Sequence, residues 1–403
     1  MICSSIDIGS DTIKVVVAKI SDDEISVLGA TNVLSVGIKN GLIVDSELAC
    51  QSINLAISEL EKSLGFRIDK AIINVPFYDV ETHVYHGKCF FEGEVSGEDI
   101  ITCFKSSVST IDDSLEVVTV CPIDYSIDGK KRVSNALHET GEELECRMLI
   151  STIPKDILYP YIDVLDKCNI EVIDLSFGVI NDFYNVDFDT KEGFGVLIDI
   201  GYNKTEIGLF NKGLLIKSDI LNIGSKLVDH DIKYIYHLDK MTTRNIKENL
   251  AFASSKFADK NEFVSYLNMD NEEIKIDQLE LSQVVEARLE EILKNVKKDL
   301  NDLTNHEISY IIITGGISNL PGFDNLVKDI LGTKAYTINL NIIGAKNNIY
   351  TSCVGMIKYY YDKLKIRGIS YTMFENISEM IKNKKNVLHE QILDEMKKYC
   401  EDN

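Results

Sequence analysis

Two segments of this chain carry the same signal, and they constrain its fold more than any other feature. In each, an apolar strand delivers Asp-Ile-Gly to a turn, and Asp7 of the first copy stands 192 positions before Asp199 of the second. Around Asp7, residues 4–8, 12–20 and 24–31 read as strands, with a turn at Ser21-Asp22-Asp23. Around Asp199, residues 195–201, 205–210 and 214–221 repeat that order, with a turn at Asn211-Lys212-Gly213. A repeated three-strand meander predicts two similar cores in one chain. A length of 403 residues also calls for more than one hydrophobic centre.

The turns have chemistry as well as shape. Glycine at a bend lets backbone N–H groups approach a ligand, and with nearby hydroxyls such groups make a concave anion site. Asp7 and Asp199, held at strand ends, are placed to orient the water shell of a phosphate-bound magnesium ion. Either Asp-Ile-Gly alone reads equally well as ordinary strand punctuation; two in matching meanders favour the phosphate reading. Lys14 adds a cation on the strand that follows Ser10 and Thr12, its plain alternative being an outward-facing strand lysine. A third glycine signal follows the apolar run 310–314: Gly315-Gly316-Ile317-Ser318, then Pro321-Gly322 before a helix near Phe323. It suits an adenine or ribose face, or a structural strand-to-helix connection.

Composition removes several classes. With 42 Lys and Arg against 64 Asp and Glu, the formal charge of −22 repels a nucleic-acid backbone. No apolar run approaches the ~20 residues of a membrane span, and the first residues lack a signal peptide's pattern. Nine scattered cysteines without C-x-x-C fit reduced thiols in a cytoplasm. His83 and His86 lack convincing further ligands for a metal.

Residues 80–151 read as a polar, β-rich and helical insert that ends in the core-like run Met148-Leu149-Ile150-Ser151. Helices are expected from Gly224-Ser225-Lys226, over 241–252, and over 281–303. The last carries the stripe Leu281, Val285, Leu289, Ile292, Val296, Leu300 and Leu303. From Tyr371 onward, Met373, Phe374, Ile377, Met380 and Ile381 fall at helical spacing before Lys382, Lys384 and Lys385, and a second apolar set runs from Leu388 to Tyr399. An amphipathic tail of this kind suits a membrane surface. Glu390, Asp394, Glu395, Glu401 and Asp402 oppose anionic lipid and leave a protein partner equally open.

Together, Asp7-Ile8-Gly9-Ser10, the second turn at Asp199 and Thr314-Gly315-Gly316 resemble the actin and Hsp70-like ATPase superfamily. Within it the insert is similar to that of FtsA, the bacterial division family that tethers FtsZ filaments to the membrane. The telling runs are Pro122-Ile123-Asp124-Tyr125-Ser126-Ile127-Asp128-Gly129 and Asn135-Ala136-Leu137-His138-Glu139-Thr140-Gly141-Glu142-Glu143-Leu144-Glu145. The resemblance spans about residues 3 to 365.

It implies an α/β, actin-like two-lobe fold with duplicated ribonuclease-H-like cores and an FtsA-type IC insert. Subdomain IA would be 1–79 and 152–190, IC 80–151, IIA 191–223 and 307–368, and IIB 224–306, with a helical tail over 369–403. It further implies ATP and Mg bound between the lobes, self-assembly into filaments, and contact with the FtsZ C-terminal tail through IIB. The implied place is the cytoplasm, peripheral on the inner face of the cell membrane at the division site, with the membrane met by the tail. Asp7 and Asp199 would be the catalytic pair and hold Mg through water. The implied nucleotide set is Gly9, Ser10, Asp11, Thr12, Lys14, Gly201, Tyr202, Asn203, Lys204, Thr205, Gly224, Ser225, Arg244, Lys247, Gly315, Gly316 and Ile317.

The chain departs from the family pattern at three places. Where further glycines continue the second phosphate loop, Tyr202, Asn203 and Lys204 stand here. Arg244 occupies the position of a ribose-accepting Glu, so a donor replaces an acceptor, while Lys247 remains. After Asp174, Ser176-Phe177-Gly178-Val179 offers no Gln or Glu to position water. Phosphoryl transfer depends on positioning and electrostatics, so turnover is expected to suffer more than binding: at most a slow ATPase. A degenerate scaffold without nucleotide and a small-molecule kinase or phosphatase of the same superfamily stay open. Against the enzyme stands the lack of a clear catalytic base beyond the two aspartates.

Overall fold

The computed structural model describes residues 1–21, 23–130, 132–186, 193–369 and 371–374. Strands β1 (Ile2–Ile8), β2 (Thr12–Ser21) and β3 (Glu24–Leu34) form the first meander, followed by the small hairpin β4 (Ile38–Lys39) and β5 (Leu42–Ile43). Helix α1 (Ser46–Leu64) is started by the Asp45 side chain, which accepts from the N–H groups of Glu47 and Leu48, and ends at Gly65 in the left-handed region. Strand β6 (Lys70–Val75) leads to the insert of β7 (Glu81–Glu94), α2 (Gly97–Val108), β8 (Leu115–Ile127), β9 (Arg132–Val133) and β10 (Thr140–Pro154). Then come α3 (Lys155–Lys167), β11 (Glu171–Phe177) and α4 (Gly178–Phe183).

The second half opens with the meander β12 (Phe194–Ile200), β13 (Thr205–Asn211) and β14 (Leu214–Leu221). It continues with α5 (Lys226–Tyr236), α6 (Lys240–Leu250), the hairpin β15 (Phe263–Leu267) and β16 (Glu273–Asp277), and α7 (Gln278–Leu303). It closes with β17 (Ile308–Thr314), α8 (Phe323–Leu331), β18 (Ala335–Thr337) and α9 (Thr351–Ile366).

The two halves share one topology. The first sheet runs β11-β6-β1-β2-β3 and the second β14-β13-β12-β17-β18. In both, the Asp-Ile-Gly strand pairs antiparallel with the next strand and parallel with a later one. The repeat read from the meanders therefore extends to whole sheets. The insert has its own sheet, β7-β10-β8-β9.

Helices cover both faces of each sheet, so β1 is buried along its whole length and β13 nearly so. One hydrophobic core joins the halves, because Phe183 of α4 and Cys353, Met356 and Ile357 of α9 lie in it with residues of both sheets. Gly355 makes the α4–α9 crossing possible: a Cβ there would stand 1.7 Å from the Asn181 carbonyl oxygen. A second core packs the other face of the second sheet under α5, α7 and α8, including the whole predicted α7 stripe. The insert has a third. The β15–β16 hairpin gave no clear sequence signal.

The start of the tail differs from its sequence reading. Tyr371–Phe374 is not helical, and the Ile2 N–H donates 2.8 Å to Thr372 Oγ1 while the Met373 N–H donates 3.0 Å to the Ile2 carbonyl. Met373 and Phe374 are buried in the first core, with Phe374 against Phe66. These two apolar residues are spent on the protein's own packing and are not available to lipid. The remaining tail positions, Ile377 to Tyr399, lie outside the described residues. Among the described residues no helix is long and apolar enough to cross a membrane.

Candidate functional site

The Asp-Ile-Gly turns of both sheets open on one cleft of about 650 Å³. Asp7, Gly9, Ser10, Asp11, Thr12 and Lys14 line it from the first sheet. Asp199, Gly201, Tyr202, Asn203, Lys204, Ser225, Arg244, Lys247, Gly315, Gly316 and Ile317 line it from the second half.

Sheet register sets the charges. Asp7 lies opposite Lys14, whose ammonium donates 2.8 Å to Asp7 Oδ2, and Asn74 donates 3.1 Å to Asp7 Oδ1. At the matching position of the second meander Asp199 lies opposite Glu206. One aspartate therefore faces a cation and the other a second carboxylate. Glu206 is held by Lys204 at 2.6 Å. Among the described residues Asp199 has no such ion-pair partner, and its carboxyl is pushed up to about 7, chiefly by burial, then by Glu206 and Asp7. Asp182, on α4, is raised well above the usual carboxylate range by burial and next by Asp199, although the Ser352 hydroxyl donates 2.6 Å to it. Burial pulls the Lys14 ammonium down, but the charge and hydrogen bond of Asp7 outweigh it and raise its pKa.

Further charge pairs involve the residues that line the cleft. Arg244 Nη1 lies 2.9 Å from Asp11 Oδ2, Lys240 lies 3.6 Å from Asp11 Oδ1, and Arg244 also donates 2.9 Å to Glu248. Lys247 is bound to Asp229 at 2.6 Å. The donor found at position 244 thus serves a carboxylate of the opposite lobe.

Gly315 has φ 103°, and a Cβ there would meet the Ile200 carbonyl at 2.3 Å and Asp199 Oδ1 at 2.8 Å. Only glycine fits, which places the third glycine signal against the second turn. Among the described residues no group of three or more His, Cys, Asp or Glu side chains is arranged to hold a metal by itself. The chemistry of the donors, carboxylates from both lobes lining one cleft, fits an ion that phosphates and water also coordinate.

The model of the family "Cell division protein FtsA" matches residues 196–355. The chain is 26% identical over 371 residues to the cell division protein FtsA of Bacillus subtilis, covering 90% of this chain and 84% of that protein. The PilM–PilN type IV pilus biogenesis complex aligns with a TM-score of 0.59 at 11% identity, over 91% of this chain and 98% of its own. MreB5 of Spiroplasma citri bound to AMPPNP aligns at 0.55 and 12%, over 90% and 97%. The chain is FtsA-like, with an actin-like two-lobe fold.

Two residues of the expected nucleotide set of this FtsA-like chain stand behind the cleft wall. Thr205 is fully buried and donates 2.8 Å to the Ile223 carbonyl. Gly224 lets the chain pass the turn, since a Cβ there would stand 2.5 Å from the Tyr202 carbonyl oxygen. Conversely, Asn74, Asp182, Glu206 and Ser352 line the cleft and escaped the sequence reading. Asp182 and Glu206 thus add two carboxyl groups to the lining beside Asp7 and Asp199. Glu206 was legible in principle, because hairpin register alone sets it opposite Asp199. Asp182 had only the weaker signal of a polar pair, Asn181-Asp182, in an apolar helix.

Proposed function

We propose that this chain is a cell-division adaptor that binds ATP with Mg between its lobes and turns it over slowly or not at all. The observation that supports it best is that two Asp-Ile-Gly turns, one from each duplicated sheet, open on the same cleft. In this reading the turns at Gly9 and Gly201 cradle phosphates, Lys14 neutralises them, Asp7 and Asp199 hold the waters of the ion, and Gly315-Gly316 takes the nucleoside. The ion would supply charge neutralisation of the phosphates.

Slow turnover follows from the groups near the reaction centre. Ser176 to Val179 carry no water-positioning acid, and Glu206, whose Oε2 lies 3.2 Å from where a Gly178 Cβ would stand, is engaged by Lys204. Full-length protein is expected to bind ATP in magnesium while releasing phosphate slowly; rapid release dependent on a metabolite and lost in Asp199→Asn would instead select a small-molecule enzyme.

A second reading has its own observation. Among the described residues, the basic side chains lining the cleft, Lys14, Lys204, Arg244 and Lys247, are each already paired with a carboxylate. Such a cleft is satisfied without ligand, as a scaffold requires. No ATP binding by folded protein, with or without magnesium, selects it.

The output proposed is assembly. The division into IA, IC, IIA and IIB follows the FtsA pattern, with filaments formed by self-association and the FtsZ C-terminal tail bound by IIB. Co-sedimentation with an FtsZ tail peptide tests the partner, and failure by folded protein removes it. For a place on the inner membrane face, liposome flotation of the full chain is compared with a chain ending at Phe374, which keeps the buried Met373 and Phe374. Equal flotation removes the tail from the tethering role.

A further inference from the structure

Lys204 stands where the second phosphate turn enters β13, yet its side chain reaches the other lobe. Its ammonium lies 4.3 Å from the centre of the Tyr78 ring, and its Cε and Nζ lie 3.6 Å from where a Gly41 Cβ would stand. The side chain is 14% exposed and faces the cleft. An ammonium has three donors. Glu206, at 2.6 Å, is the one ion-pair partner of Lys204 among the described residues, and Nζ makes no well-aligned hydrogen bond there. With one carboxylate oxygen in reach and three donors to place, this ammonium keeps capacity for further anionic oxygen from the cleft.

The surroundings say which anion. Two acidic side chains that are neighbours across the second hairpin, Asp199 and Glu206, approach this lysine, and the charge of Glu206, joined by that of Asp199 as pH rises through about 7, would repel a phosphate. The ammonium offsets that repulsion from within the chain, in the neighbourhood where a phosphate-bound divalent cation would otherwise be required. The same turn has exchanged open glycine backbone for side chains, so donors lost from the backbone are replaced by one full charge.

We infer that Lys204 is a polyphosphate-binding residue released from Glu206 when the ligand enters, and that it makes phosphate binding by this chain partly independent of divalent metal. This rests on the nucleotide reading of the cleft. Lys14 holds the ligand from the first lobe and Lys204 from the second, so the ligand's phosphates tie the lobes together.

The test uses the full chain, with ATP and inorganic tripolyphosphate as probes, titrated by calorimetry in magnesium and in EDTA. Lys204→Gln is expected to weaken both probes about tenfold or more in EDTA, the scale of a lost charged hydrogen bond, and less in magnesium. Glu206→Gln frees the lysine and is expected to act in the opposite direction, tightening both probes in EDTA. Lys204→Arg keeps the charge and is expected to retain binding, which separates lost charge from a damaged fold. If Lys204→Gln leaves the EDTA affinities unchanged, or if Glu206→Gln weakens them as the lysine change does, the pair is merely structural and this inference fails alone. If wild-type protein binds neither probe in either condition, the nucleotide reading fails with it.

Discussion

Arg244 and Asp11, both in the lining of the cleft, form an ion pair of 2.9 Å between the two lobes. Arg244 lies on α6, where the family pattern led to the expectation of a Glu, and Asp11 lies in the turn between β1 and β2. The arginine at this position therefore has a carboxylate partner, and the pair joins the two lobes within the cleft lining.

Replacing the arginine should loosen the contact between the lobes. Because Arg244 is partly exposed, Arg244→Ala is expected to change global stability by only about 1 kcal/mol or less. Hydrogen exchange at residues 9–12 and 240–248 should rise, with more ligand-free scattering at large radius. High salt should do the same to wild type, since screening weakens partly exposed pairs. Unchanged exchange in both segments would show that the pair does not hold the lobes.

Asp199 makes stability depend on pH. Burial, and then Glu206 and Asp7, raise its carboxyl to about 7 from an ordinary 3.8. Between those values the folded chain keeps a proton that the unfolded chain has released, so this group's contribution is full below the unfolded value and is lost as pH rises through 7. Asp182 is shifted in the same direction. Asp199→Asn should remove much of the decline, a gain on the order of 2–4 kcal/mol above pH 7 relative to wild type. Denaturant titrations at pH 5, 6, 7 and 8 read it; parallel curves for the two proteins contradict the assignment.

The crossing of α4 and α9 is intolerant of side chains. With a Cβ at position 355 only 1.7 Å from the Asn181 carbonyl oxygen, Gly355→Ala forces the helices apart. A loss of about 1–3 kcal/mol is expected, as for overpacking elsewhere. Thermal unfolding measures it, and a melting point equal to wild type would mean that the helices can shift freely.

The first residues of the tail belong to the fold. A chain ending at Gly368 loses Met373 and Phe374 from the first core together with the hydrogen bonds of Ile2, and is expected to be about 3 kcal/mol or more less stable. A chain ending at Phe374 keeps both and should melt at a higher temperature than the chain ending at Gly368. If the two truncations melt together, the docking of 371–374 contributes nothing.

Much of this was legible before any coordinates. Both meanders, the apolar stripe of α7 and the strand before Gly315 fell where pattern placed them, because strand and helix periodicities are local properties of side chains. Duplicated topology followed from two copies of one signal. Even Glu206 could have been found, since a tight hairpin fixes which residue faces Asp199.

Local pattern carried no trace of partners drawn from distant parts of the chain. That Asp11 meets Arg244, that Lys204 reaches Tyr78, that Ser352 donates to Asp182, and that Phe374 turns inward onto Phe66 were all settled by packing. Sequence spacing fixes which way a residue points within its own strand or helix. Which charges become neighbours depends on how two sheets close around α4 and α9, and that closure also decides how far burial moves the acidity of Asp199.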